Sequence, residues 1–176
     1  MRPMRRARLE VREISTLERW LREAPVGRLA TVDEDGYPLI KPVNFVYVDG
    51  KVFFHSATQG EKVDDIRRDP RVGFEIDHLY DIVAPIDQRC QTHCFYHSII
   101  IRGNARVLDR AEDQAKKEHI LRLLVNKYAP AFPEAPLTGA DKTAVVEIAI
   151  ERITGKQDPG GESPPPTETG DKQAVL

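Results

Sequence analysis

The chain reads as mainly β: a small antiparallel β-barrel with helices inserted between its hairpins. Three observations predict this. Six stretches show strand alternation or enrichment in β-branched residues, namely 26–32, 37–48, 51–56, 71–76, 95–108 and 143–153. Two short turns, Asp33-Glu34-Asp35-Gly36 and Asp49-Gly50, join neighbouring strands directly, as hairpins require. The helical stretches interrupt hairpins instead of alternating with strands one by one, which argues against a parallel doubly wound sheet.

Taken in order, residues 1–14 (MRPMRRARLEVREIS up to Ile14) form a basic arm that lacks the apolar core of a secretory signal. Leu17, Trp20 and Leu21 fall at helical spacing, with Ser15 or Thr16 as the cap and Pro25 as the stop. Trp20 is expected to anchor the core. The strand 37–48 contains Pro38 and Pro42, and proline cannot donate to a ladder, so it must be an edge or carry a break. Glu61 to Arg68 is a short helix with Val63 and Ile66 inward, ended at Asp69-Pro70. His78 to Thr92 lacks periodicity and reads as an irregular excursion. Gly103, inside the strand 95–108, marks a bulge or a close backbone approach. Asp109 to Tyr128 is a helix capped by Asp109, with Ala111, Ala115, Ile120, Leu121, Leu124 and Val125 on one side. Pro130, Pro133 and Pro136 enforce a loop. Residues 15–154 thus form one domain, and 155–176, rich in Pro, Gly and Ser, form a disordered tail. The acidic pairs Asp64-Asp65 and Asp33-Asp35 read as a solvated helix face and a turn.

Composition narrows the function. The 176 residues are 40% hydrophobic and 31% charged, with net charge -2. Such a balance supplies no electrostatic reason for nucleic-acid binding, and no apolar run is long enough to span a bilayer. Two cysteines without an export signal point to a reduced, cytoplasmic setting.

One stretch carries chemistry. In GYPLIKPVNFVYVDGKVFFHSATQGEKVDDIRRDPRVGF, residues 36–74, a strand ends at His55-Ser56-Ala57 and a glycine-containing loop leads to Lys62 at a helix start. A cation and a hydroxyl placed there suit a phosphate. His55 reads equally as a structural residue or as a proton donor. Cys90, His93, Cys94 and His97 repeat at zinc-ligand spacing, but the stretch from Phe95 reads as a strand, where residues 94 and 97 point to opposite faces. We therefore expect no metal site and place these residues at a cavity or a dimer interface. No triad or paired acid and base is evident.

The run VGRLATVDEDGYPLIKPVNFVYVDGKVFFHSATQGEKVDDIRRDPRVGFEID, with the later CFYHSIIIRGNARVLD and NKYAP, resembles the FMN-binding split β-barrel family of pyridoxamine 5′-phosphate oxidase, its nitroimidazole-reductase-like branch above all. The likeness spans about residues 26 to 130. It implies a six-stranded split barrel that dimerises, with FMN at the subunit interface. By position, Lys62 matches the phosphate-binding lysine, Lys41 stands near a second basic ligand, and Ser56 supplies a hydroxyl. The backbone of Pro42, Val43 and Asn44 would run beside the flavin ring. His55, Ser56 and Ala57 would lie near the ribityl chain or ring edge. Tyr96 and His97 would approach the flavin of a neighbouring subunit. Glu61 departs from the pattern, since related sequences often carry Arg or Lys there, and a carboxylate repels a phosphate unless it points away.

The implied activity is reduction of a small organic, nitroaromatic-type substrate, with NAD(P)H as donor. Two alternatives stay open: the same barrel holding a deazaflavin or haem, and a non-enzymatic flavin-binding or zinc-stabilised module. No C-terminal arginine-bearing segment is found, which argues against pyridoxamine phosphate as substrate.

Overall fold

The computed structural model describes residues 4–83, 92–132 and 136–159. Eight strands and three α-helices follow in the order β1 (Glu10–Val11), α1 (Ile14–Glu23), β2 (Gly27–Val32), β3 (Pro38–Val43), β4 (Phe45–Val48), β5 (Lys51–Ala57), α2 (Glu61–Arg68), β6 (Arg71–Val83), β7 (His93–Val107), α3 (Gln114–Tyr128) and β8 (Thr143–Asp158). The mainly β, antiparallel class is as expected, but the count is eight strands where six were read. One extra strand comes from the break in 37–48. There the chain leaves β3 at Val43, spends Asn44 outside any strand, and enters β4 at Phe45. The other is β1, two residues of the basic arm that pair with Lys156 and Gly155.

The strands run in the order β3-β2-β6-β7-β8-β5-β4, with β1 added to β8. The two ends of this path, β3 and β4, are consecutive in the chain. The sheet is therefore closed through Asn44 and not through a hydrogen-bonded ladder. Pro38 and Pro42 sit on the terminal strand β3, opposite Val32 and Arg28, where a missing donor is tolerated. Asp49 and Gly50 both take positive φ (51° and 72°), the geometry that a two-residue hairpin turn demands.

Other boundaries shifted for local reasons. β6 continues to Val83, so the first part of the stretch read as an excursion is strand; residues 84–91, including Cys90, lie outside the described residues. β8 continues to Asp158, because β7 offers partners as far as Tyr96. The tail expected from residue 155 thus begins as strand, and residues 160–176 lie outside the described residues. Asp109 caps nothing. It pairs with Arg67 at 3.1 Å, and a 3-10 turn at Ala111–Asp113 leads into α3. Ala111 and Ala115 are exposed, whereas Asp113 is buried against Arg106 at 2.7 Å. Nor do Ser15 and Thr16 cap α1, which starts at Ile14; the Ser15 hydroxyl donates to Glu13 instead. The register of β7 against β8 slips between Arg102 and Gly103, and a Cβ on Gly103 would strike the Ala149 carbonyl. Bulge and close approach coincide.

Two apolar clusters hold the fold. Inside the barrel, Leu29, Phe45, Phe54, Phe74, Ile76, Ile99 and Ile101 pack with Leu17, Trp20 and Leu21 of α1 and Val63 and Ile66 of α2. On the outside, Val46, Phe53 and Val145 pack under Ile120, Leu121 and Leu124 of α3. Alternate residues of β5 therefore face different cores: Val52 and Phe54 inward, Phe53 toward α3. Burying one such aromatic contributes on the order of 2–3 kcal/mol. This alternation also decides where the next residues, His55 and Ser56, must point.

Candidate functional site

His55 follows Phe53 to the α3 side. There it lines a cavity of about 270 Å³ together with Asn44, Leu121, Leu124, Tyr128 and Thr143. Ser56 shares the inward face of Phe54, at the barrel end where α2 begins. Lys62 reaches back over the Phe54 ring, its Nζ 5.5 Å from the centroid. Alternation thus divides the expected site into a lysine cradle and an imidazole-bearing pocket, with β5 as the wall between them.

The cradle is built on α2. Gly60 enters the helix at φ 121°, a conformation that favours glycine, and no side chain caps the helix. Lys41 comes from β3 and pairs with Leu29, so it points inward toward α2. Its Nζ lies 2.9 Å from Glu61 Oε2 and 3.5 Å from Asp65 Oδ2. Yet this buried ammonium makes no well-formed hydrogen bond. Lys62 has no carboxylate partner among the described residues, and burial, then the charge of Lys41, push it below the usual lysine value. Two ammonium groups with unspent donors therefore stand close together. Glu61 does not point away from them; it leans on Lys41.

Asp65 corrects the sequence reading. Asp64 is solvated as expected, but Asp65 is buried. It accepts from Thr31 Oγ1 at 2.8 Å and from Arg68 at 3.0 Å. Burial alone would raise its carboxyl, but those hydrogen bonds and the charges of Lys41 and Arg68 hold it below the ordinary value. A buried carboxylate in this position fixes Lys41 from behind.

The break between the sheet's ends is held by groups that the sequence reading did not single out. Tyr128 Oη accepts from the Phe45 N–H at 2.9 Å and lies within donating distance of Pro25 O and Phe45 O, at 2.8 and 2.9 Å. Lys127 Nζ donates to Ala24 O at 2.8 Å and Phe45 O at 3.1 Å and sits 4.3 Å from the Phe45 ring centroid. Burial pushes its pKa down to about 8. The only hint in the sequence was the NKYAP resemblance, which carries no pattern of its own.

Of the remaining expected residues, Pro42 faces out, the Val43 side chain is core, and Ala57 ends β5 opposite Thr143. Asn44 is exposed and lines the cavity, so its side chain as well as the backbone of 42–44 is open to a ligand. Tyr96 and His97 are elsewhere. The partner of His97 on β8 is Gln157, fourteen residues beyond Thr143, which is on the order of 45 Å along an extended strand. His97 is buried, its ring stacked 4.1 Å from Trp20 at 8°, and its Nδ1 bonds the Tyr80 hydroxyl. Burial, then the charge of His78, lower its pKa. Cys94 and His97 lie on opposite faces of β7, one exposed and one buried. Among the described residues no group of three His, Cys, Asp or Glu could hold a metal ion. No helix among them is long and apolar enough to cross a membrane.

Residues 13–157, most of the folded part, match the pyridoxamine 5′-phosphate oxidase family. The chain belongs to that family. No curated protein matches it. Several solved structures share the fold at low identity. One is a protein assigned to 5-nitroimidazole antibiotic resistance in Bacteroides thetaiotaomicron: 20% identity, TM-score 0.69, 84% of this chain and 85% of that one. Another is an FAD and heme binding protein from Mycobacterium smegmatis: 19% identity, TM-score 0.74, 86% and 74% covered. A third is an FAD-binding protein from Mesorhizobium loti: 21% identity, TM-score 0.62, 85% and 96% covered. A flavin phosphate fits the lysine cradle on chemistry, because Lys41, though ion-paired with Glu61 and Asp65, makes no well-formed hydrogen bond, and Lys62 has no carboxylate partner among the described residues.

Proposed function

We propose that the chain is a flavin-dependent oxidoreductase that reduces a small organic, nitroaromatic-type compound, with NAD(P)H as electron donor. The observation that carries this is the pair of ammonium groups that meet at the start of α2: Lys41 of β3, ion-paired but without a well-formed hydrogen bond, and Lys62, without a carboxylate partner among the described residues. They would hold the phosphate of a flavin nucleotide, of which FMN is the smallest, with Ser56 as an added hydroxyl donor. The flavin supplies the electron transfer when bound. The chain's own residues position and protonate. The backbone of Pro42, Val43 and Asn44, held in place by Tyr128 and Lys127, would lie along the ring, with Ala57 at its edge. His55, whose imidazole has no partner among the described residues, would deliver a proton to the reduced substrate from the pocket under α3.

A second copy of the chain would complete the site. The sheet face turned away from the core exposes Val32, Ile40, Leu79, Ile82 and Ile100 around the ion-paired Arg28, Glu75 and Asp77, a mixed apolar and charged surface that supports a homodimer. It also carries Tyr96, the residue that the partner would present. His97, walled in by Trp20 and Tyr80, is left out of this proposal. Reduced cytoplasmic residence remains part of the reading.

An absorption spectrum of the purified protein, followed by flavin titration, tests it. Flavin bands, or saturable quenching of added flavin, are the expected result. A Soret band would favour the haem alternative, and a deazaflavin spectrum the other. A monomer by sedimentation at micromolar concentration would remove the shared site.

A further inference from the structure

We infer that the cavity under α3 is the substrate seat and selects an uncharged, single-ring compound bearing one hydrogen-bond acceptor, rejecting its carboxylated counterpart. This rests on the reductase reading above and names the substrate class for it.

The cavity has two walls of different chemistry. The wall on α3 is apolar: Leu121, Leu124, Val125 and Tyr128 recur at helical spacing along one stripe of the helix, and Leu137 closes on them from the following loop. The Tyr128 hydroxyl is already committed to Phe45 and Pro25. The opposite wall is polar. β4 pairs with β5 from Phe45 opposite Phe54, so Asn44 and His55 follow side by side. Both are exposed and line the cavity, and neither side chain has a partner among the described residues. They can therefore meet one acceptor on a ligand. Volume sets the size. The cavity measures about 270 Å³. An apolar void of about 150 Å³ takes benzene, and pockets for drug-sized molecules begin at roughly 300 Å³. One substituted ring lies between those limits. Charge sets the selectivity. No Lys, Arg, Asp or Glu lines the cavity. A carboxylate entering it would shed water against the leucines and meet no fixed positive charge. Lys127 is committed to the Ala24 and Phe45 carbonyls, and Lys62 lies over Phe54, on the other side of β5.

The test titrates para-nitrotoluene, para-nitrobenzoate and para-xylene into the full-length protein with no flavin added, and reads binding by ligand-observed NMR. Saturable binding of para-nitrotoluene is expected below its solubility limit. The carboxylate, nearly the same in shape, should bind at least about tenfold more weakly. His55→Ala and Asn44→Ala should each weaken para-nitrotoluene about three- to tenfold and leave para-xylene, which has no acceptor, within about twofold. Val125→Trp, which fills the space beside the apolar wall, should weaken para-nitrotoluene and para-xylene at least about tenfold. No saturable binding of para-nitrotoluene, equal affinity for the carboxylate, or a folded Val125→Trp that binds like wild type overturns the inference. Should Val125→Trp fail to melt cooperatively, the two polar-wall variants decide, since both positions are exposed. Equal losses for para-nitrotoluene and para-xylene in them, or no loss for either, then reject the seat. Because these titrations contain no flavin, a failure of FMN or FAD to bind counts against the flavin reading alone.

Discussion

The two ends of β8 carry two clusters that the sequence marks as cofactor contacts, and they differ in one respect. Near Thr143, Lys41 Nζ is ion-paired with Glu61 and Asp65 yet buried without a well-formed hydrogen bond, and Lys62 has no carboxylate partner among the described residues. Near Gln157, the aromatic cluster pairs His97 with Tyr80 within the chain. The His97 ring lies flat on Trp20, its Nδ1 bonds Tyr80, and burial, then the charge of His78, lowers its pKa. Unsatisfied polarity is costly unless something binds it. On the proposed function, ligand recognition belongs to the first cluster, while the second packs against the core.

The widest separation comes from Trp20→Ala. Trp20 is 2% exposed, and its loss should destabilise by about 3–5 kcal/mol in chemical denaturation. Flavin affinity, measured where the variant remains folded, should be unchanged; a weakened flavin complex would break the division. Lys62→Ala is the mirror test. It should weaken flavin nucleotides about 10- to 100-fold, leave riboflavin nearly untouched and move the melting midpoint little. Tyr128→Phe lies between the two. Losing the hydroxyl that spans Phe45 and Pro25 should cost about 1–2 kcal/mol and also loosen the backbone at Asn44. If stability falls while flavin binding holds, the clamp belongs with the second cluster.

The smallest effect is in pH. Lys127 titrates near 8 when folded and at 10.5 otherwise, because burial opposes its charge. Between those values the unfolded chain binds more protons, so stability rises with pH across that window. Lys127→Met should flatten that rise, as seen in melting midpoints at mildly and strongly alkaline pH. An unchanged slope would show that Lys127 is hydrated.

Much of this fold was legible because its signals are local. Asp49-Gly50, Pro42 and the Glu61–Arg68 helix each announce themselves within a few residues. Lys62 was legible for the same reason, as a cation at a helix start. Asp65 was not, since an acidic pair on a short helix looks solvated until Thr31 and Lys41 close over it from β2 and β3. Lys127 and Tyr128 act on Phe45, more than eighty positions away, and no window of sequence joins them. Strand ends were extended by partners, as β8 was by β7, which alternation alone cannot foresee.

Asn44 joins the two ends of the strand path, and this has a kinetic consequence. β2 with β3, β4 with β5 and β6 with β7 are hairpins that can form early, because their contacts are local. The seam at Asn44 is complete only when α3, far along the chain, brings Lys127 and Tyr128 onto it. The backbone at Asn44 is then expected to be among the last parts of the molecule to be ordered. A ligand seated across that seam would act as a staple on a late folding step, and at a hundredfold excess over its Kd would add about 2.7 kcal/mol of stability.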